Sequence, residues 1–183
     1  MIESHNLFST LLGSQLKSLL DDKTVIEKSL FVTLRFNRVS NGGPIESFLC
    51  DTSCRKNYDH FWNILNAHFF GRKYKSTKTK KDKHQLRHLS VLHQHKDPKR
   101  SHVHCIIVPP LDIDKQYLEK AIKRFWSKTY FGKTDFMDGW HLHICDIYSA
   151  GVIEYPIKDQ AEYEAYVLGA YIGSGKESDL IAF

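Results

Sequence analysis

Two closely spaced histidine pairs are the residues in this chain best suited to chemistry: His93 with His95, and His102 with His104. In His102-Val103-His104 the alternation of a β-strand puts both imidazoles on one face and Val103 on the other. Two histidines on one face can hold one divalent ion. The segment Lys96-Asp97-Pro98-Lys99-Arg100 reads as a turn, so the strand carrying His93 and His95 folds back beside the first pair. That brings a third ligand within reach, His93 or alternatively His95. A three-ligand site with open positions is what a catalytic metal acting on a phosphate needs. The competing use is a patch of surface histidines on a basic protein. Four histidines on paired strands beside a lysine-rich segment favour the metal. His141-Leu142-His143 has the same form, but no acid or histidine strand directly precedes it.

Tyrosine supplies the other chemistry. Tyr163, Tyr166 and Tyr171 fall in a segment, 159–172, whose spacing predicts a helix with Asp159 as its cap. A tyrosine hydroxyl can attack phosphorus when a metal polarises the phosphate and the hydroxyl is in line. Its alternative role is packing, with the ring buried and the hydroxyl in water.

The elements that must position these groups follow from hydrophobic periodicity. Leu7, Phe8, Leu11, Leu12, Leu16, Leu19 and Leu20 mark one face of a helix over 6–21. Residues 30–38 are rich in β-formers and read as a strand, ended by Asn41-Gly42-Gly43-Pro44. Tyr58, Phe61, Trp62, Leu65 and Phe69 predict a helix over 52–69 with Gly71 as its stop. Strands are predicted over 88–95, 102–108 and 140–148. A helix is predicted over 114–128, with Asp112 or Asp114 near its cap and Leu118, Ile122, Phe125 and Trp126 inward. The order, a helix and then β-α-β-β-α-β-α, predicts an α+β fold with a central antiparallel sheet and flanking helices, ferredoxin-like in outline. Residues 1–29 form a helical extension and 30–183 the main domain.

The 183 residues suffice for one domain with a real core, and 42% hydrophobic residues exclude a disordered chain. The formal charge of +5 points to an anionic partner. Basic residues concentrate at 72–88, where Arg72, Lys73, Lys75, Lys78, Lys80, Lys81, Lys83 and Arg87 are opposed only by Asp82. This stretch reads as an exposed loop or hairpin tip able to contact phosphates, and Tyr74 within it could stack on a base. Cys105 and Cys145 sit in apolar runs and read as core. Cys50 and Cys54 could share a helix face or a metal, but no second pair completes a zinc framework. Such cysteine usage fits a reducing cytoplasm. No segment approaches the roughly 20 apolar residues of a membrane span, and the N-terminus lacks the pattern of a secretory signal.

Three segments, in order, resemble the motifs of HUH endonucleases, the family of rolling-circle replication initiators, conjugative relaxases and single-tyrosine transposases. They are Phe31-Val-Thr-Leu-Arg-Phe36, His102-Val-His-Cys-Ile-Ile-Val-Pro-Pro110 and Tyr166-Val-Leu-Gly-Ala-Tyr171. The resemblance spans roughly 30–176. It implies a metal held by His102 and His104, with His93 where the family commonly has a third ligand, usually a carboxylate. It also implies Tyr166 as nucleophile, with Tyr163 second. Gly169 stands where the family usually has a lysine; the nearest lysine is Lys176. The implied activity is nicking and joining of single-stranded or hairpin DNA through a tyrosine linked to the DNA 5′ end, with Mn²⁺ or Mg²⁺. An all-histidine site leans toward Mn²⁺. Replication initiation is the first reading and a transposase, acting as a dimer, the second. A DNA-binding relative without catalysis and a structural zinc protein are the further alternatives. With no helicase segment after the last motif in these 183 residues, the expectation is a stand-alone nuclease, an isolated domain or a remnant that binds without cutting, and the sequence leaves monomer and dimer both open.

Overall fold

The computed structural model describes residues 23–36, 51–72, 74, 85–95, 101–110, 112–132, 142–148, 152, 163–171 and 180–181. In chain order the elements are α1 (Lys23–Lys28), β1 (Leu30–Arg35), α2 (Asp51–Phe70), β2 (Arg87–His95), β3 (His102–Val108), α3 (Lys115–Trp126), β4 (Leu142–Asp146), β5 (Tyr163–Tyr171) and β6 (Leu180–Ile181). The expected helix over 6–21 lies outside the described residues, and α1 falls within the expected N-terminal extension. No helix among the described residues is long and apolar enough to cross a membrane.

The strands form one sheet in the order β4-β1-β3-β2-β5-β6, with every neighbouring pair antiparallel. The fold is α+β, an antiparallel sheet with flanking helices, as the element order predicts. The β2–β3 hairpin runs from Arg87↔Val108 to His93↔His102.

Strand alternation gives the sheet two distinct faces. On one, Leu30, Val32, Leu34, Leu92, Val103, Cys105 and Ile107 pack with Tyr58, Phe61, Trp62 and Leu65 of α2 and Leu118, Ile122 and Trp126 of α3. These residues form the main core. Local chemistry sets the helix ends. Gly71 adopts φ +78° directly after α2, a conformation glycine takes without steric cost. Asp114 caps α3, its Oδ1 accepting from the Tyr117 amide at 2.9 Å.

One predicted element is overturned. The segment expected as the tyrosine helix, 159–172, contains instead the strand Tyr163–Tyr171, which pairs with β2 from His88↔Tyr171 to His95↔Tyr163. Spacing of the tyrosines at three and five residues mimics a helical face. Tyrosine and valine are nonetheless strand formers, and the edge of β2 offers a row of backbone partners that outweighs the weak helical pattern. A register shift opposite Ser90/Val91 interrupts the ladder next to Gly169, a residue suited to a bulge.

His88 is buried at the helix-packed face, its ring centroid 3.9 Å from that of Trp62. Burial pushes its imidazole down to about 3, although Nδ1 also lies 3.4 Å from the Leu86 carbonyl oxygen. The unfolded chain therefore binds a proton at His88 in a range where the folded chain does not. Stability is full above the ordinary histidine value and falls as pH drops below it. Urea unfolding at pH about 7 and about 4.5 should show the fall, and His88→Phe should reduce it. An unchanged pH dependence in that variant would assign the effect to other groups.

Candidate metal centre

The face of the sheet away from α2 and α3 carries the histidines. Register places Arg35, His102 and His93 in one cross-strand row, and Thr33, His104 and Val91 in the next. Residues opposite each other in an antiparallel pair share a face. The surroundings on this face are apolar: Phe31, Leu89, Val91 and Ile106 are all buried, and the Phe31 ring lies 5.2 Å from that of His104.

Within this setting three imidazoles converge. His93, His102 and His104 each offer a ring nitrogen, and the three nitrogens lie within 4.8 Å of one another. Ring centroids are 5.2 Å apart for His93 and His102, 4.7 Å for His93 and His104, and 4.5 Å for His102 and His104. The Nε2 atoms of His102 and His104 are 2.9 Å apart, close enough for one proton or one cation to bridge them. His93 is fully buried and His104 nearly so, while His102 is partly exposed. The cluster therefore has a closed floor and an approach on the His102 side.

The donor set fits a divalent metal. Burial above all, then the neighbouring His102 and His93, pushes the His104 imidazole down to about 2. Neutral imidazole is the ligating form. Thr33 Oγ1 lies 3.0 Å from His104 Nδ1. With Nδ1–H donating to Thr33, the lone pair of Nε2 is left facing the other two rings, which is how an outer hydrogen bond fixes tautomer and ring orientation at a metal site. Neutral nitrogen donors favour transition ions such as Mn²⁺ or Zn²⁺ over Mg²⁺.

The expected ligands His93, His102 and His104 are thus brought together, and His93 rather than His95 completes the set. His95 is half-buried two residues further along β2, its backbone N–H donating to Ser101 Oγ at 3.0 Å. His143 stands opposite Thr33 on β4 and is exposed, so it shares the face but is separated from His104 by all of β1. His141 lies outside the described residues. On β5, position 163 is opposite His95, 165 opposite His93 and 166 opposite Leu92. Tyr163 therefore holds a position in a histidine-face row, and Tyr166 one in the row of the helix-packed face.

Among the predicted DNA contacts, Arg72 is exposed in the turn after α2, and Lys73, Lys75, Lys78, Lys80, Lys81 and Lys83 lie outside the described residues. Tyr74, expected to stack on a base, is half-buried. Its hydroxyl donates to Asn63 Oδ1 at 2.5 Å, and burial followed by the charge of Asp59 pushes it up to about 12. The hydroxyl ties the chain to α2. Cys54 is buried in the core. Cys50 is outside the described residues. Thr33 was not among the residues singled out from sequence, although its alternation with Val32 and Leu34 could have placed it on the histidine face.

No protein-family model, curated protein or solved structure matches this chain.

If Thr33 orients His104, Thr33→Val should weaken Mn²⁺ binding by about tenfold or more without unfolding the protein, since loss of such outer partners typically costs metal sites that much. Thr33→Ser should restore it. Titration calorimetry with Mn²⁺ reads both, and wild-type affinity in Thr33→Val would remove the role.

Proposed function

We propose that this chain is a divalent-metal-dependent nuclease that cuts single-stranded or hairpin DNA, of the HUH type that its three motifs resemble, and of the kind that starts rolling-circle replication. The observation that carries the reading is the convergence of His93, His102 and His104 on one face of an antiparallel sheet, with the His102 side open. An ion bound there would polarise a phosphodiester and ease the charge that develops as its bond breaks.

The chain's own residues supply the rest. A tyrosine oxygen forms a bond to phosphorus, and its proton passes to solvent. The 3′ oxygen departs with the bonding pair and is protonated. The DNA 5′ end stays on the tyrosine, ready for rejoining. The register of β5 favours Tyr163 for this step and makes Tyr166, first by motif, the second choice. The excess of basic residues in the chain and exposed Arg72 suit a polyanionic strand.

One observation favours a second reading. The tyrosines lie on a strand rather than on the helix their motif implies, and a three-histidine site with open positions can also serve a water nucleophile. The product would then be cleaved DNA with no protein attached.

Labelled single-stranded DNA incubated with Mn²⁺ or with EDTA separates these readings on a denaturing gel. The expected outcome is a Mn²⁺-dependent protein–DNA adduct, lost in Tyr163→Phe and His102→Ala and retained in Tyr166→Phe. Loss in Tyr166→Phe alone would restore the motif's choice. Cleavage without an adduct would establish the water reaction. Neither cleavage nor adduct across a range of DNA sequences would sink the proposal.

A further inference from the structure

β1 runs through the sheet beside β3, and its residues divide cleanly. Val32 and Leu34 are fully buried in the helix-packed core. Thr33 and Arg35 alternate with them and belong to the histidine face, which the Thr33–His104 hydrogen bond bears out. Arg35 is exposed and stands directly opposite His102, and His102 stands opposite His93. Side chains opposite one another on adjacent strands have Cβ atoms about 5 Å apart. A guanidinium starting there has the open side of the cluster within its reach. No carboxylate among the described residues pairs with it.

We infer that Arg35 is the anion-holding residue of this site, its guanidinium taking the non-bridging oxygens of a phosphodiester drawn to the three-histidine centre. The inference rests on the proposed nuclease reading and adds a binding residue to it. The three imidazoles are a neutral donor set, so the described ligands hold an ion without contributing charge toward the substrate. The planar fork of arginine matches the paired oxygens of a phosphate, which a lysine ammonium meets only as a point charge. Arg35 also occupies the row of His102, the most accessible of the three histidines, where a substrate arriving from solvent first meets the site.

The test uses the full chain, Mn²⁺, and a fluorescent single-stranded deoxythymidine oligonucleotide as probe. Calorimetry first establishes Mn²⁺ uptake, and anisotropy then reads probe affinity with and without the ion. Arg35→Gln should take up Mn²⁺ as the wild type does, yet bind the probe about tenfold more weakly when metal-loaded, the loss of a charge-assisted forked contact. Arg35→Lys should fall between. Lys120→Gln, which removes an exposed cation on α3, should stay within about twofold of wild type, because a distant surface charge is screened. Wild-type probe binding in Arg35→Gln, or an equal loss in Lys120→Gln, would overturn the assignment while leaving the metal centre standing. A wild-type chain that takes up no Mn²⁺, or whose probe binding ignores the ion, would overturn both.

Discussion

The register of three antiparallel strands, β1, β3 and β2, is the constraint on which the site depends. Leu34, Val103 and Leu92 stand opposite one another, fully buried beneath the helices. Their burial fixes the facing of every neighbour along the three strands. A slip of one residue would send His102 and His104 into the apolar core and Val103 to the other face. Burying an imidazole without partners is costly, so hydrophobic packing on one side of the sheet enforces the histidine arrangement on the other. The histidine cluster is in this sense a by-product of core packing.

Polar contacts inside the core add precision where packing alone would allow sliding. Tyr58 of α2 donates to Ser90 Oγ of β2 at 2.5 Å, and Asn66 of the same helix accepts from the Leu86 amide at 2.9 Å, just before β2 begins. Asn57 reaches Thr129 Oγ1 and accepts from the Phe131 amide, joining α2 to the turn after α3. Buried groups left without such partners would cost more than the bonds return, so each contact selects one seating of α2. Burial pushes the Cys105 thiol up to about 12 and the Tyr58 hydroxyl well above its usual range, so both stay protonated and this cluster is structural. Its consequence reaches the site, because β2 carries His93.

What could be read from sequence follows the range of the forces involved. The strand periodicity of His102-Val103-His104 and the helical spacing of Tyr58, Phe61, Trp62 and Leu65 are local signals, and both elements formed as the pattern implies. The Gly71 stop and the Asp114 cap are local too. Tyr163–Tyr171 is where local reading failed. Its spacing fits a helix and its composition fits a strand, and pairing with β2, some 75 residues away, decides between them. Choice of His93 over His95 and the roles of Thr33 and Arg35 have the same origin. They depend on which strand lies beside β3 and in what register, information that sits in no short window of the chain.

Electrostatics then connects the fold to its chemistry. His104, buried in apolar surroundings, resists protonation. The same burial that keeps this ring neutral keeps its lone pair available, and it strengthens any charge placed beside it because little water screens it. Carboxylate ligands would offset part of the charge of a bound divalent ion. Imidazoles would leave it whole, and with Arg35 in the same row as His102 and His93 the local field would favour an anion. A third imidazole at position 93 in place of a carboxylate would therefore suit a softer metal and make a more strongly electropositive centre, two consequences of one choice of donor.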